Sequence, residues 1–168
     1  MERLVLLNPE NASPDEVAGF RRRYAVRAVV RDSDGNIALL HVSKHGYYKL
    51  PGGGVEKDED RMAALARECL EEIGCHVEVE NPIGYTEELR KMFNLHQTSE
   101  CYTARVVGEK GQPDFTQSEE AEGFRIVWAP YAEALELVSS SGTDVQEGYD
   151  YIVPRDTCIL KAAGGVHG

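Results

Sequence analysis

The chain has no apolar run approaching the ~18 residues that a membrane-spanning helix requires. Its first eight residues, Met1 to Asn8, hold only the short apolar stretch Leu4 to Leu7. With no sustained signal-peptide core and no obvious cleavage site, neither secretion nor a membrane partner is expected. Cysteine is sparse. Cys69, Cys75, Cys101 and Cys158 include no CxxC pair, and their spacing suggests neither a zinc site nor a disulfide framework. They read as reduced thiols, and a cytoplasmic protein is expected. Basic residues are outnumbered, 18 against 29 acidic, for a net charge of −11. Long-range attraction to nucleic acid is therefore weak or unfavourable, and no stable nucleic-acid partner is expected. Internal repeats, low-complexity blocks and the P-loop, HExxH and GxGxxG patterns are all missing, which leaves the main rival nucleotide and metalloprotease readings without support.

What is present suits one globular domain: 168 residues, 42% apolar and 28% charged. The acidic balance still admits a small phosphorylated substrate, provided local positive charge offsets the repulsion. A metal ion held by carboxylates and shared with phosphates would supply it; the plain alternative is that excess acid only improves solubility. Residues 1–20 read as an N-terminal extension, because Pro9, Asn11, Ser13 and Pro14 break any pattern. Tyr24 to Val30 is rich in strand formers, Asp32-Ser33-Asp34-Gly35-Asn36 is a turn signal, and Ile37 to Val42 reads as the return strand of a hairpin. Further strands are predicted over Tyr47 to Leu50, Val77 to Val79, Ile83 to Leu89, Ser99 to Val107 and Phe124 to Trp128. Pro130 opens a helix running through Val138, and Pro154 opens another ending before Gly164-Gly165. Hairpins and crossovers between helices imply an α/β fold with a mixed sheet covered by helices.

Asp60 to Ile73 reads as a helix, with Asp58 or Asp60 as its cap and Gly74 as its left-handed stop. At about 100° per residue, Met62, Leu65, Ala66, Cys69 and Ile73 form one apolar stripe, while Glu68, Glu71 and Glu72 share another face. Like charges at these spacings cost helix stability. Oxygen ligands converging on a hard divalent cation would remove that cost. Arg67 lies four residues before Glu71, and Glu59 precedes the helix at the same acidic end. Taken singly, each glutamate is more readily a solvated surface acid.

The joint pattern resembles the Nudix box: glycine, five residues, glutamate, seven residues, then Arg-Glu-apolar-any-Glu-Glu-any-Gly-apolar. Gly53 leads to Glu59, and seven residues later comes Arg67-Glu68-Cys69-Leu70-Glu71-Glu72-Ile73-Gly74-Cys75. A chance match is on the order of one in a million. Cysteine fills both apolar positions, where aliphatics are usual; as a small hydrophobe it packs tolerably. The resemblance implies the Nudix α/β/α sandwich over 21–168. It implies Mg²⁺, with Mn²⁺ as a substitute, held by Glu68, Glu71 and Glu72, with Glu59 assisting and Gly52 offering a carbonyl. Arg67 would orient a glutamate, and the general base would be Glu68 or, from a later loop, Glu119 or Glu120. Lys44, His45 and Tyr48, just before the box, are candidates for touching phosphate or base, with an exposed turn as the equal alternative. Arg21-Arg22-Arg23 could meet phosphate, though such a triplet is usually a solvated strand edge.

The box sets a reaction type and leaves the substrate open. Some subfamilies carry an accessory proline or tyrosine some 15 to 18 positions beyond the box's last glycine. Leu89 to Met92 supplies neither, which disfavours ADP-ribose and diadenosine polyphosphates. The leading expectation is a small-molecule nucleotide substrate cut by a MutT-like nucleoside triphosphate pyrophosphohydrolase. The second is a hydrolase of nucleotide sugars or other nucleoside diphosphate derivatives. A non-catalytic nucleotide-sensing module is the third, disfavoured because such domains lose box carboxylates that are all kept here. Oligomeric state stays open, with the N-terminal extension available to pair across a homodimer.

Overall fold

The computed structural model describes residues 1–166. Its centre is strand β2 (Arg21–Arg31). The two-residue period of a strand sends Val26, Ala28 and Val30 into one core and Val29 into another. Strand β2 runs parallel to β7 (Leu95–Val107), which lies antiparallel to β6 (His76–Arg90), which in turn lies parallel to β1 (Arg3–Leu7). On the other side, Asp32 closes the expected turn: its Oδ1 accepts from the backbone N–H groups of Asp34 and Asn36.

The expected hairpin forms for one registered pair only, Arg31 with Ile37. Beyond it the two strands part. Strand β3 (Ile37–Val42) takes β4 (Tyr47–Lys49) and β8 (Phe124–Ala129) as neighbours, whereas β2 takes the glycine strand β5 (Gly52–Gly54). This fork in the mixed sheet makes room for a cleft.

Helix α2 (Arg61–Ile73) covers one face, burying Leu65, Cys69 and Ile73 against Val26 and Leu40. Helices α4 (Tyr131–Ser139) and α5 (Val153–Val166) cover the other, where Ala134, Val138, Ile159 and Leu160 meet Val29 and Leu39. The architecture is the expected helix–sheet–helix sandwich. Each large aliphatic side chain so buried contributes about 1.5–3 kcal/mol. Among the described residues the remaining helical segments are the short α-helices α1 (Pro14–Ala18) and α3 (Gln117–Ala121), a 3₁₀ turn at Lys91–Phe93 and a π turn at Gly148–Ile152. Among the described residues no helix is long and apolar enough to cross a membrane.

Several local expectations change. The N-terminal twenty residues, read as patternless, contain β1 at the sheet edge and α1, which Ser13 and Glu16 close with a reciprocal capping box. An edge strand of five residues, none fully buried, has a burial pattern that does not alternate. The two strands expected over residues 77–89 are one, β6. Its register shifts between Val79 and Asn81 and between Pro82 and Gly84, where proline offers no N–H to the ladder. Helix α5 runs through Gly164 and Gly165 instead of stopping before them. Tyr131 donates its hydroxyl to the Leu160 carbonyl at 2.7 Å and lies over Gly164, where a Cβ would collide with it.

Candidate active site

At the fork of the sheet lies a cavity of about 300 Å³. Its walls come from Arg23 and Arg27 on β2, Lys49 on β4, the three glycines of β5, Glu68 and Glu72 on α2, Arg90 at the end of β6, Gln97 on β7, Glu119 on α3 and Arg155 on α5.

The box helix builds the acidic wall. Asp60 caps it by accepting from the N–H groups of Met62 and Ala63, and Gly74 ends it at φ +66°. The predicted stripe needs a correction. Ala64 is buried and Ala66 is exposed, so the buried arc is rotated towards the glutamates. At about 100° per residue Glu72 falls between Ala64 and Leu65, and it is accordingly 2% exposed. Its Oε1 accepts from Gly52 N–H at 3.0 Å. Its Oε2 is buried with no hydrogen-bond partner, and Lys49 Nζ lies 4.0 Å from it. Burial raises the Glu72 carboxyl to about 7, against the lowering pull of Lys49 and the Gly52 N–H. Glycine is required at Gly52 on β5, where φ is +149° and a Cβ would collide with the Val26 carbonyl and the Arg27 backbone; at Gly53 and Gly54 the Glu68 carboxylate and the Arg23 guanidinium lie directly over the strand.

Arg67 is the hub of the outer box residues. It binds both oxygens of Glu59 at 2.8 and 2.9 Å, Glu68 Oε1 at 2.9 Å, Glu71 Oε2 at 3.4 Å and the Gly54 carbonyl at 3.1 Å. The Arg67 hydrogen bond, aided by the Glu56 N–H, holds Glu59 down at about 2. The expected convergence of Glu59, Glu68, Glu71 and Glu72 is thus divided. Glu68 and Glu72 line the cavity, while Glu59 is spent on Arg67 and Glu71 lies outside, half exposed. Among the described residues no three acidic, His or Cys side chains already stand in metal-binding array. The donors on the cavity still suit a hard cation: an orphaned, buried carboxylate oxygen on Glu72, with Glu68 and Glu119 on the same space.

The other candidates separate cleanly. Glu119 lines the cavity from the first turn of α3, where it also closes a capping box with Thr116. Glu120, its neighbour, is exposed and lines no part of it. Lys44, His45 and Tyr48 are also not among its walls. His45 approaches Asp144 at 3.3 Å, and the Tyr48 ring stacks on His41 at 4.2 Å. Alternation along β4 turns Tyr48 away and brings Lys49 in instead.

The cationic wall was largely invisible from sequence. Beneath it is a buried network. Glu88, with no exposure, accepts from Arg90 Nη2 at 2.6 Å, Gln97 Nε2 at 2.7 Å and Arg155 at 3.4 Å. Asp156 accepts from Arg155 at 2.7 Å and from the Leu50 N–H at 2.9 Å. Gln97 also receives Arg23, and Arg90 also reaches Glu147. Burial pushes Glu88 up, but the guanidinium groups of Arg155 and Arg90 override it and hold it at about 2. Of the Arg21-Arg22-Arg23 triplet, expected either to meet phosphate or to be a solvated strand edge, Arg23 faces the cavity. Arg27 carried one sequence signal, a lone charge inside the apolar run Ala25 to Val30.

The sequence profile of the NUDIX domain matches residues 21–147. A MutT-like protein of Streptomyces ambofaciens is 38% identical over 60 residues, 36% of this chain; the match spans only 39% of that relative's length. A NUDIX hydrolase from Nitrosomonas europaea superposes with a TM-score of 0.66 at 18% identity, over 87% of this chain and 90% of its own. The MutT protein of Methanosarcina mazei Go1 does so with a TM-score of 0.60 at 17% identity, over 89% and 98%.

Proposed function

This chain belongs to the NUDIX family of pyrophosphohydrolases, and on that premise we propose that it hydrolyses the phosphoric anhydride of a nucleoside triphosphate in the MutT-like manner, with a divalent metal, Mg²⁺ or Mn²⁺. The observation that carries this reading is the unpartnered Oε2 of buried Glu72, beside Glu68, on a cavity whose far wall is arginine.

Glu68 and Glu72 would hold the cation, with the Gly52 backbone tying Glu72 in place. A divalent ion there supplies charge neutralisation for the diphosphate and Lewis acidity. The chain's own groups do the remainder. Arg23 and Lys49 face the cavity as phosphate-neutralising cations. Glu68 and Glu119 reach the same space from different elements, so the proton of the attacking water goes to one of these two. Arg67 fixes the Glu68 carboxylate. Water attacks phosphorus directly; this reading is supported by a cavity lining that, among the described residues, holds no Ser, Cys or His to serve as a nucleophile.

The retained box carboxylates speak against a sensing module. A panel of nucleoside triphosphates and nucleotide sugars, incubated with Mg²⁺ and assayed for monophosphate and diphosphate, tests the proposal. Metal-dependent release from a triphosphate is expected. No release from any member, with the protein folded, would sink it.

A further inference from the structure

The hydrolase reading uses the acidic wall with Arg23 and Lys49 and leaves one cationic group of the cavity unexplained. The cavity's other cations each have a direct partner. Arg155 has Asp156 and Glu88, Arg90 has Glu88 and Glu147, Arg23 donates to the neutral Gln97 amide, and Lys49 lies 4.0 Å from Glu72 and 4.7 Å from the Phe124 ring centre. Arg27 has nothing. It is 5% exposed, its Nε is buried without a partner, and among the described residues its guanidinium makes no hydrogen bond or ion pair. Buried arginines ordinarily fork onto carboxylates or carbonyls, since a buried cation left unpaired is costly. Desolvation, with Arg155 close by, brings Arg27 down to about 10.

Its position says what belongs there. The Arg27 stem lies against Gly52, 3.0 Å from where a Cβ would be, and the N–H of Gly52 holds Glu72. Arg27 therefore lies next to the acidic wall, within the same cavity. Two of its companions there, Arg23 and Arg155, also carry positive charge. Arg155 comes from α5, beyond the residues 21–147 that match the family.

We infer that Arg27 anchors an anion subsite for a phosphoryl group beyond the diphosphate engaged at the glutamate wall, so that the chain selects substrates with three or more phosphoryl groups over diphosphates ending in a neutral sugar. The specificity half of this inference rests on the hydrolase reading; the anion subsite does not. A neutral sugar would leave Arg27 desolvated and without a direct ionic partner. A further phosphoryl oxygen pairs with it, and charge-assisted bonds of this type are the strong ones.

The test has two arms. In EDTA, the melting temperature is followed against inorganic phosphate, with potassium chloride at matched ionic strength as control, for wild type, Arg27→Gln and Arg27→Lys. Phosphate is expected to raise the wild-type melting temperature beyond chloride. Arg27→Gln should lose that rise and, without phosphate, melt no lower than wild type; Arg27→Lys should keep part of it. With Mg²⁺, kcat/KM for a nucleoside triphosphate relative to UDP-glucose should fall ~10-fold or more in Arg27→Gln. An equal phosphate response in wild type and Arg27→Gln overturns the inference. So does a phosphate effect no larger than chloride on wild type, whether or not Arg27→Gln folds, and so does an equal loss on both substrates. Phosphate binding through Arg27 without hydrolysis of any substrate would instead retire the hydrolase reading and leave the subsite standing.

Discussion

Arg67 grips Glu59 through two parallel hydrogen bonds, Nε to Oε2 at 2.8 Å and Nη2 to Oε1 at 2.9 Å, while its remaining Nη1 reaches Glu68. One planar fork thus ties the loop before α2 to the carboxylate that faces the cavity. Lysine carries the charge without the fork. Arg67→Lys is expected to fold and to lower kcat at least ~10-fold, since Glu68 is no longer held. The pH dependence has a definite sign. The depressed Glu59 contributes stability that is present above the ordinary carboxylate value of 4.5 and is lost as pH falls towards about 2. Melting temperature against pH should therefore fall less steeply through that window in Arg67→Met than in wild type. Parallel curves would remove the pair from any account of acid stability.

Glu72 presents the opposite balance. A buried carboxylate with an unpartnered oxygen is a liability to the fold. Glu72→Gln keeps the shape and can still accept from Gly52 N–H, so it should melt at or above wild type. Hydrolysis should nevertheless fall by ~100-fold or more, as should that of Glu68→Gln. Wild-type rates in both variants on a confirmed substrate would contradict the assignment of these groups.

How much of this was legible in the sequence depends on how local the signal is. The box and its stop are consecutive residues, so spacing alone places Glu68 and Gly74 and narrows the cap to Asp58 or Asp60; it puts Glu72 on the acidic face, whereas the structure buries it. The cationic wall is assembled from β2, the end of β6 and α5, and no spacing joins Arg27, Arg90 and Arg155. Their convergence depends on β2 leaving β3 after one registered pair, which a strong turn signal at residues 32–36 concealed. The five-residue strand β1 was equally silent, because pairing to β6 rather than its own pattern defines it. Tyr48 and Lys49 alternate along β4 and Lys49 is the one on the cavity; a three-residue strand carries too little pattern to fix which face each takes.

The buried Glu88 network should be the scaffold of the cationic wall. Glu88→Gln removes the charge shared by Arg90 and Arg155 and leaves them in like-charge contact. A loss of about 3–5 kcal/mol in unfolding free energy is expected, on the scale of breaking a buried ion pair. Chemical denaturation measures it; a change under 1 kcal/mol, on the order of a surface pair, would mean that the arginines find compensation elsewhere.

Cys69 packs with no exposure between α2 and the sheet, and burial pushes its thiol up to about 12. It should behave as a small hydrophobe. Cys69→Ala is expected to cost about 1 kcal/mol of stability with the turnover of the folded fraction unchanged, and native protein should leave this thiol unalkylated by iodoacetamide. A selective loss of turnover at unchanged melting temperature would give the sulfur a role in the site.

Glu119 and Glu120 are adjacent in sequence and differ in what they face. Glu119 lines the cavity and contributes, after burial, Lys49, the Gly52 N–H and Glu68, to the field that sets Glu72. Glu120 is exposed to solvent and is not among the cavity's walls. The pair therefore provides an internal control for a base arriving from the later loop. Glu120→Gln should hydrolyse substrate at the wild-type rate. Glu119→Gln should lose ~100-fold or more in kcat if it takes the proton, and its pH–rate profile should lose the acidic limb while KM stays within a few-fold. Because the Glu119 side chain also closes the α3 capping box, Thr116→Ala serves as the structural comparison: it removes the other half of that box and leaves the carboxylate. A Glu119→Gln variant that matches Thr116→Ala in both rate and pH profile would hand the proton to Glu68, the other candidate base on the cavity.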